Sequence, residues 1–185
     1  MPKVAVILAD GFEEVEAMAV IDILRRAEIT VAVAGLHAGH VESARNVKVI
    51  PDTGIDAIDV DRFDMIVLPG GQPGSDNLNA DQRVKDLVRQ FHDKGKLTAA
   101  ICAAPYVLAN AGVLDGKKAT AYPTYEKRLG GAQYVDENVV ADGCVLTSKG
   151  PGTALQFGIA IVEMLAGPEM AEAIKEAMLL QLPGL

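Results

Sequence analysis

The sequence predicts an α/β sandwich: a doubly wound, mostly parallel central sheet with helices on both faces. Three observations predict it. The apolar strand candidates are continuous rather than alternating, so they are buried on both faces. They alternate with segments of helical periodicity, the mark of parallel βαβ units. A chain of 185 residues, half of them apolar, can also build one sizeable core without staples.

Each element follows from local pattern. Lys3–Ala9 (KVAVILA) reads as a buried strand. Glu13–Ala27 reads as a helix with Ala17, Val20, Ile21, Leu24 and Ala27 on one face. Val15, Met18 and Ala19 lie off that face; a helix on a sheet needs one buried stripe, so these point to a dimer interface or a covering loop. Ile29–Gly35 and Val47–Ile50 read as strands, and Met65–Leu68 as a buried strand ended by Pro69-Gly70-Gly71. Asp81–Lys94 is helical, with Val84, Leu87, Val88 and Phe91 at helical spacing. Leu97–Ile101 is a strand, followed directly by a helix over Cys102–Ala111. Lys118–Ala121, Val139–Ala141 and Cys144–Ser148 are short strands, the last two forming a hairpin through Asp142-Gly143. Helices over Gly152–Ala166 and Glu169–Leu182 close the chain. No repeat or linker interrupts residues 1–185, so the expectation is one flavodoxin-like domain.

Composition narrows the function. A net charge of -8 argues against a phosphate-driven nucleic-acid binder and against docking on anionic membranes. The absence of Trp leaves no base-stacking platform. The apolar runs are too short to span a bilayer, and the start lacks a signal-peptide pattern, so a cytoplasmic protein is expected. Two cysteines, Cys102 and Cys144, make neither a disulfide framework nor a structural zinc site by themselves.

In open α/β sheets ligands bind beyond the carboxyl ends of the strands. Three features converge there: Glu13-Glu14-Val15-Glu16, Pro69-Gly70-Gly71 and Cys102-Ala103-Ala104-Pro105. Cys102 follows its strand with no loop, so the chain turns sharply at a strained residue. A helix starting there aims unpaired N–H groups at the thiol and favours thiolate; the alternative is a buried, inert cysteine. Glu16, at the mouth of the same crevice, is placed to hydrogen-bond the sulfur and shuttle a proton. Glu13 and Glu14 read as helix N-terminal acids. Gly70-Gly71 reads as a tight turn, as an oxyanion donor, or as both. His37, His40 and His92 offer Cys102 no evident base. Cys144 falls in a strand and reads as structural.

At GFEEVE, PGG, AAICAAP and SKGPGT, in that order along the chain, the sequence resembles the ThiJ/PfpI superfamily in its DJ-one-like branch. VAVAGL, the Ser-x-Arg-x-Val run at Ser43–Val47 and LTSKGPGTALQFGIAIVE extend the likeness over essentially the whole chain. The resemblance implies a flavodoxin-like homodimer with no required metal or organic cofactor. It implies Cys102 as the reactive cysteine and Glu16 as its carboxyl partner. Gly71 and Ala103 match the backbone donors, and Arg45 an arginine near the pocket. Arg26 and Pro151 match residues that approach the pocket across the dimer interface. There are departures: Tyr122 stands where the human-type proteins carry His, Ala103 where PfpI-type peptidases have His, and Ser43 where some relatives have a second Cys.

A Cys–Glu pair without a histidine suits chemistry on α-oxoaldehydes such as methylglyoxal; the resemblance also implies release of early glycation adducts from proteins. A stress-protective redox sensor or chaperone-type protein acting through oxidation of Cys102 is the alternative. A peptidase or amidotransferase is a third reading, and needs a base the sequence does not supply.

Overall fold

The computed structural model describes residues 1–181. The first strand, β1 (Lys3–Leu8), leads into α1 (Glu14–Arg26) and β2 (Thr30–Gly35). Short strands β3 (Val41–Glu42), β4 (Lys48–Val49) and β5 (Thr53–Gly54) follow, then β6 (Met65–Leu68). Next come α2 (Gly74–Ala80), α3 (Gln82–Asp93), β7 (Leu97–Ile101) and α4 (Pro105–Asn110). The chain continues through β8 (Lys118–Ala119), a 3-10 segment at Pro123–Arg128, β9 (Gln133–Tyr134), β10 (Val139–Asp142) and β11 (Val145–Ser148). It ends in α5 (Ala154–Ala166) and α6 (Pro168–Ala177).

Seven strands form the central sheet in the order β10-β11-β7-β6-β1-β2-β5. All pairs are parallel except β10 with β11. The chain winds from β1 outward through β2, then returns to β6 on the other side of β1. The topological switch lies between β1 and β6, where a crevice opens in this class of sheet.

The period of two in each strand divides the core. Val4, Val6 and Leu8 of β1 face α1, α5 and α6. Ala5 and Ile7 face α2, α3 and α4. Val84, Val88 and Phe91 of α3 are wholly buried on that second face, as the helical spacing predicts. Among the described residues no helix is long and apolar enough to cross a membrane.

Three expectations need correction, and one helix was not expected. The helix after β7 starts at Pro105, not Cys102, because Cys102 adopts φ 64°, which no α-helix admits. Pro105 then takes the first helical position, where its missing N–H is no loss. The segment Gly74–Ala80 is helical although Gly, Ser, Asp and Asn are weak helix formers; burial of Leu78 holds it. Cys144 precedes β11 rather than lying in it, with its thiol against the Gly95 carbonyl at 3.4 Å. The last helix stops at Ala177, and the expected end at Leu182 lies outside the described residues.

Candidate active site

The sheet order puts β1, β6 and β7 side by side, so the segments leaving them meet. Ile101 ends β7 in register with Ser148 of β11, and the next amide, that of Cys102, still bonds to the Ser148 carbonyl at 2.9 Å. The chain then reverses at Cys102. A non-glycine residue at positive φ carries a strain of about 1–2 kcal/mol. The Cys102 carbonyl is held at 2.8 Å by the Tyr122 amide, which fixes the elbow from its other side.

Glu16 sits in the first turn of α1 and is fully buried. Its Oε2 accepts the Gly70 N–H at 2.7 Å. Its Oε1 has no partner of standard geometry among the described residues. Cys102 is the one side chain whose hydrogen bonding bears on this carboxyl. Gly70 has no spare room: a Cβ there would lie 2.6 Å from Cys102 Cβ and 2.7 Å from Glu16 Oε2. Gly71, at φ 94°, sits on the Gly11–Glu13 backbone, and a Cβ would lie 2.3 Å from the Glu13 nitrogen. The two glycines let the loop after β6 touch both the carboxyl and the thiol.

Burial raises the Glu16 pKa from 4.5 to about 7. Burial also pushes the Cys102 thiol up, to about 12, followed by the charge and hydrogen bond of an ionised Glu16. The amides of Gly71 and Ala103 act in the opposite direction. The expected lowering of the thiol by a helix starting at Cys102 is therefore corrected. The short α4 begins three residues later, and burial dominates, with the Glu16 carboxylate second. Two of the causes that raise the thiol vanish when Glu16 is protonated; its O–H then becomes a donor to sulfur. Cys102 and Glu16 are thus coupled: the Cys102 hydrogen bond lowers the carboxyl, and the Glu16 charge raises the thiol.

Above the thiol lies an open cleft of about 470 Å³. Glu13, Arg45, Gly71, Cys102, Ala103, Tyr122 and Pro151 line it. Pro151 does so from within the same chain. Arg26 is at the far end of α1, paired with Asp22 at 2.6 Å, and does not line the cleft of its own chain. Gln72, Thr124 and Tyr125 also line the cleft and escaped the sequence reading. Aromatic Tyr125, three residues from Tyr122 in a 3-10 segment, was a usable signal, since i and i+3 share a face there. No histidine is among the lining residues.

The DJ-1/PfpI family model matches residues 2–164. Protein dj-1beta of Drosophila melanogaster is 46% identical over 177 residues, covering 94% of this chain and 95% of that one. The crystal structure of Drosophila melanogaster DJ-1beta superposes with a TM-score of 0.94 at 44% identity, over 98% of this chain and 99% of the other. The glutathione-independent glyoxalase DJR-1.2 of Caenorhabditis elegans is 36% identical over 169 residues, 91% of this chain and 90% of its own.

Proposed function

This chain belongs to the DJ-1/PfpI family, and on that premise we propose that it is a cysteine-dependent enzyme acting on α-oxoaldehydes without glutathione. The observation that carries the reading is the buried Glu16 carboxyl, with one oxygen unpartnered, beside the thiol of a strained Cys102 in a cleft lined by no histidine. A relative 36% identical to this chain is named as a glutathione-independent glyoxalase.

The steps follow from the two groups. The Cys102 sulfur adds to the aldehyde carbon of methylglyoxal, and the proton of the pair ends on the new oxygen. The product is a hemithioacetal. Glu16 removes the proton from that carbon, giving an enediolate, and returns it to the neighbouring carbon, while the hydroxyl proton of the first carbon passes to the second oxygen. The result is a thioester of lactate on Cys102. Water cleaves the thioester, releasing lactate and the free thiol. Oxidation states balance within the substrate, so no redox partner enters. The Gly71 and Ala103 amides stabilise negative charge as it develops beside the sulfur. Arg45 and Tyr122 orient the oxygens of the substrate. At a hemithioacetal or hemiaminal adduct of a protein, the Cys102 sulfur would displace the protein's sulfur or nitrogen, which leaves with the proton of the pair, and the same Cys102 hemithioacetal results. Arg26 belongs to this site only if a second copy supplies it, and a homodimer through the outer face of α1 is part of the proposal.

The test is lactate formation from methylglyoxal. Wild type forms lactate; Cys102→Ser and Glu16→Gln lose at least about 100-fold, the usual scale for a nucleophile and for a general base. Undiminished turnover in Cys102→Ser would sink the proposal.

A redox reading is favoured by one further observation: Cys102 is only partly buried and faces the cleft. Intact mass after mild peroxide then shows oxygen on Cys102 before any methionine. Methionine oxidation first would remove that reading.

A further inference from the structure

Gln72 lines two clefts at once. One is the cleft over Cys102; the other is a neighbouring hollow of about 620 Å³, which Asp10, His37, His40 and Asn46 also line. On the opposite side the division runs through the segment 44–46, since Arg45 faces the first cleft while Ala44 and Asn46 face the second. The Gln72 amide nitrogen donates to the Tyr125 hydroxyl, so the residue shared by the two hollows is tied, as a bar, to the wall of the first, which Tyr125 lines and the second lacks.

Both ends of this bar are anchored. The Tyr125 ring packs on Tyr106 with centroids 5.6 Å apart. Arg128 lies over both rings, 4.0 Å from the Tyr106 centroid and 5.0 Å from that of Tyr125. The Tyr106 hydroxyl donates to Asp76 Oδ1 at 2.6 Å and to the Ser75 carbonyl at 3.2 Å. Ser75 and Asp76 belong to α2, which starts two residues after Gln72. The network therefore returns to the loop it started from. The bar itself is a single hydrogen bond between two side chains at the surface, easily broken by comparison with its anchors.

We propose that the Gln72–Tyr125 pair determines substrate size. Closed, it confines the cleft over Cys102 to small α-oxoaldehydes; open, it joins the two hollows and admits an α-oxoaldehyde carrying a bulky group. The catalytic part of this inference rests on the proposed function, but the steric part does not.

The experiment has two arms, in wild type, Gln72→Ala and Tyr125→Phe. The first measures kcat/KM for phenylglyoxal against methylglyoxal. The second measures alkylation of Cys102 by N-phenylmaleimide against iodoacetamide, with Cys144 resolved by peptide mass. Both ratios rise about fivefold in each variant, the scale of one lost hydrogen bond. Tyr125→Phe keeps the ring stack, so a shift there does not come from misfolding. Ratios equal to wild type in both variants overturn the proposal. A shifted alkylation ratio in a protein that forms no lactate overturns the proposed function and leaves the bar in place.

Discussion

Glu16 couples the site to the stability of the fold. Its pKa is raised from 4.5 to about 7 by burial. The folded state then binds a proton that the unfolded chain has released. Stability present below pH 4.5 is lost as pH climbs through about 7. The loss is on the order of 3 kcal/mol, because each tenfold gain in proton affinity on folding corresponds to about 1.4 kcal/mol. Urea unfolding at pH 4.5 and pH 8 checks this: the stability of Glu16→Gln relative to wild type rises by that amount, and a constant difference contradicts it. The position of Cys102 was legible because an apolar strand runs straight into it. The choice of Glu16 over Glu13 and Glu14 was less so. Only burial separates them, and burial depends on how α1 meets the loop after β6. Gln72 was missed for a related reason: its contact with Tyr125 spans 53 positions, and no local pattern announces it.

At the scale of elements, the site depends on close approaches that only glycine allows. In Gly71→Ala the new Cβ meets the Glu13 nitrogen, and the positive φ is strained as well. The variant folds, with an unchanged far-ultraviolet spectrum, but lactate formation falls by about 100-fold, the scale of a lost oxyanion donor. Gly158 makes a different approach, where α5 crosses α1. A Cβ there lies 2.7 Å from Ile23 Cδ1. Gly158→Ala is destabilised by about 1–3 kcal/mol in urea, through overpacking far from the thiol. An unchanged midpoint contradicts that packing. The strands β1, β2, β6, β7, β10 and β11 and the helices α1, α3 and α5 were legible within a residue or two, because buried strands are continuous and α3 is strongly periodic; β3, β5 and β9, two residues each, were not. The segment Gly74–Ala80 was not, since tertiary contact overrides its weak propensity. The start of α4 was misplaced for want of the backbone angle at Cys102.

For the whole molecule, topology does the assembling: the switch between β1 and β6 brings together residues 16, 70 and 102, which no sequence separation relates. Alternation of strand and helix made that crevice predictable, while the division of its two hollows was not. Val15 stays 52% exposed on the outer face of α1, beside half-buried Met18 and Ala19. A dimer through this face buries them, and size-exclusion chromatography with light scattering then gives a dimer for wild type and a monomer for Val15→Glu. A monomeric wild type at micromolar concentration contradicts it. The claim on which the rest depends is that Cys102 and Glu16 share one proton. It is tested most directly by the rate of Cys102 alkylation with iodoacetamide against pH, in wild type and Glu16→Gln. With a shared proton, the wild-type rate climbs through an inflection near neutral pH. The Glu16→Gln profile lacks that inflection and follows the thiol alone, relieved of the carboxylate charge that raises it. Superimposable profiles would contradict the shared proton.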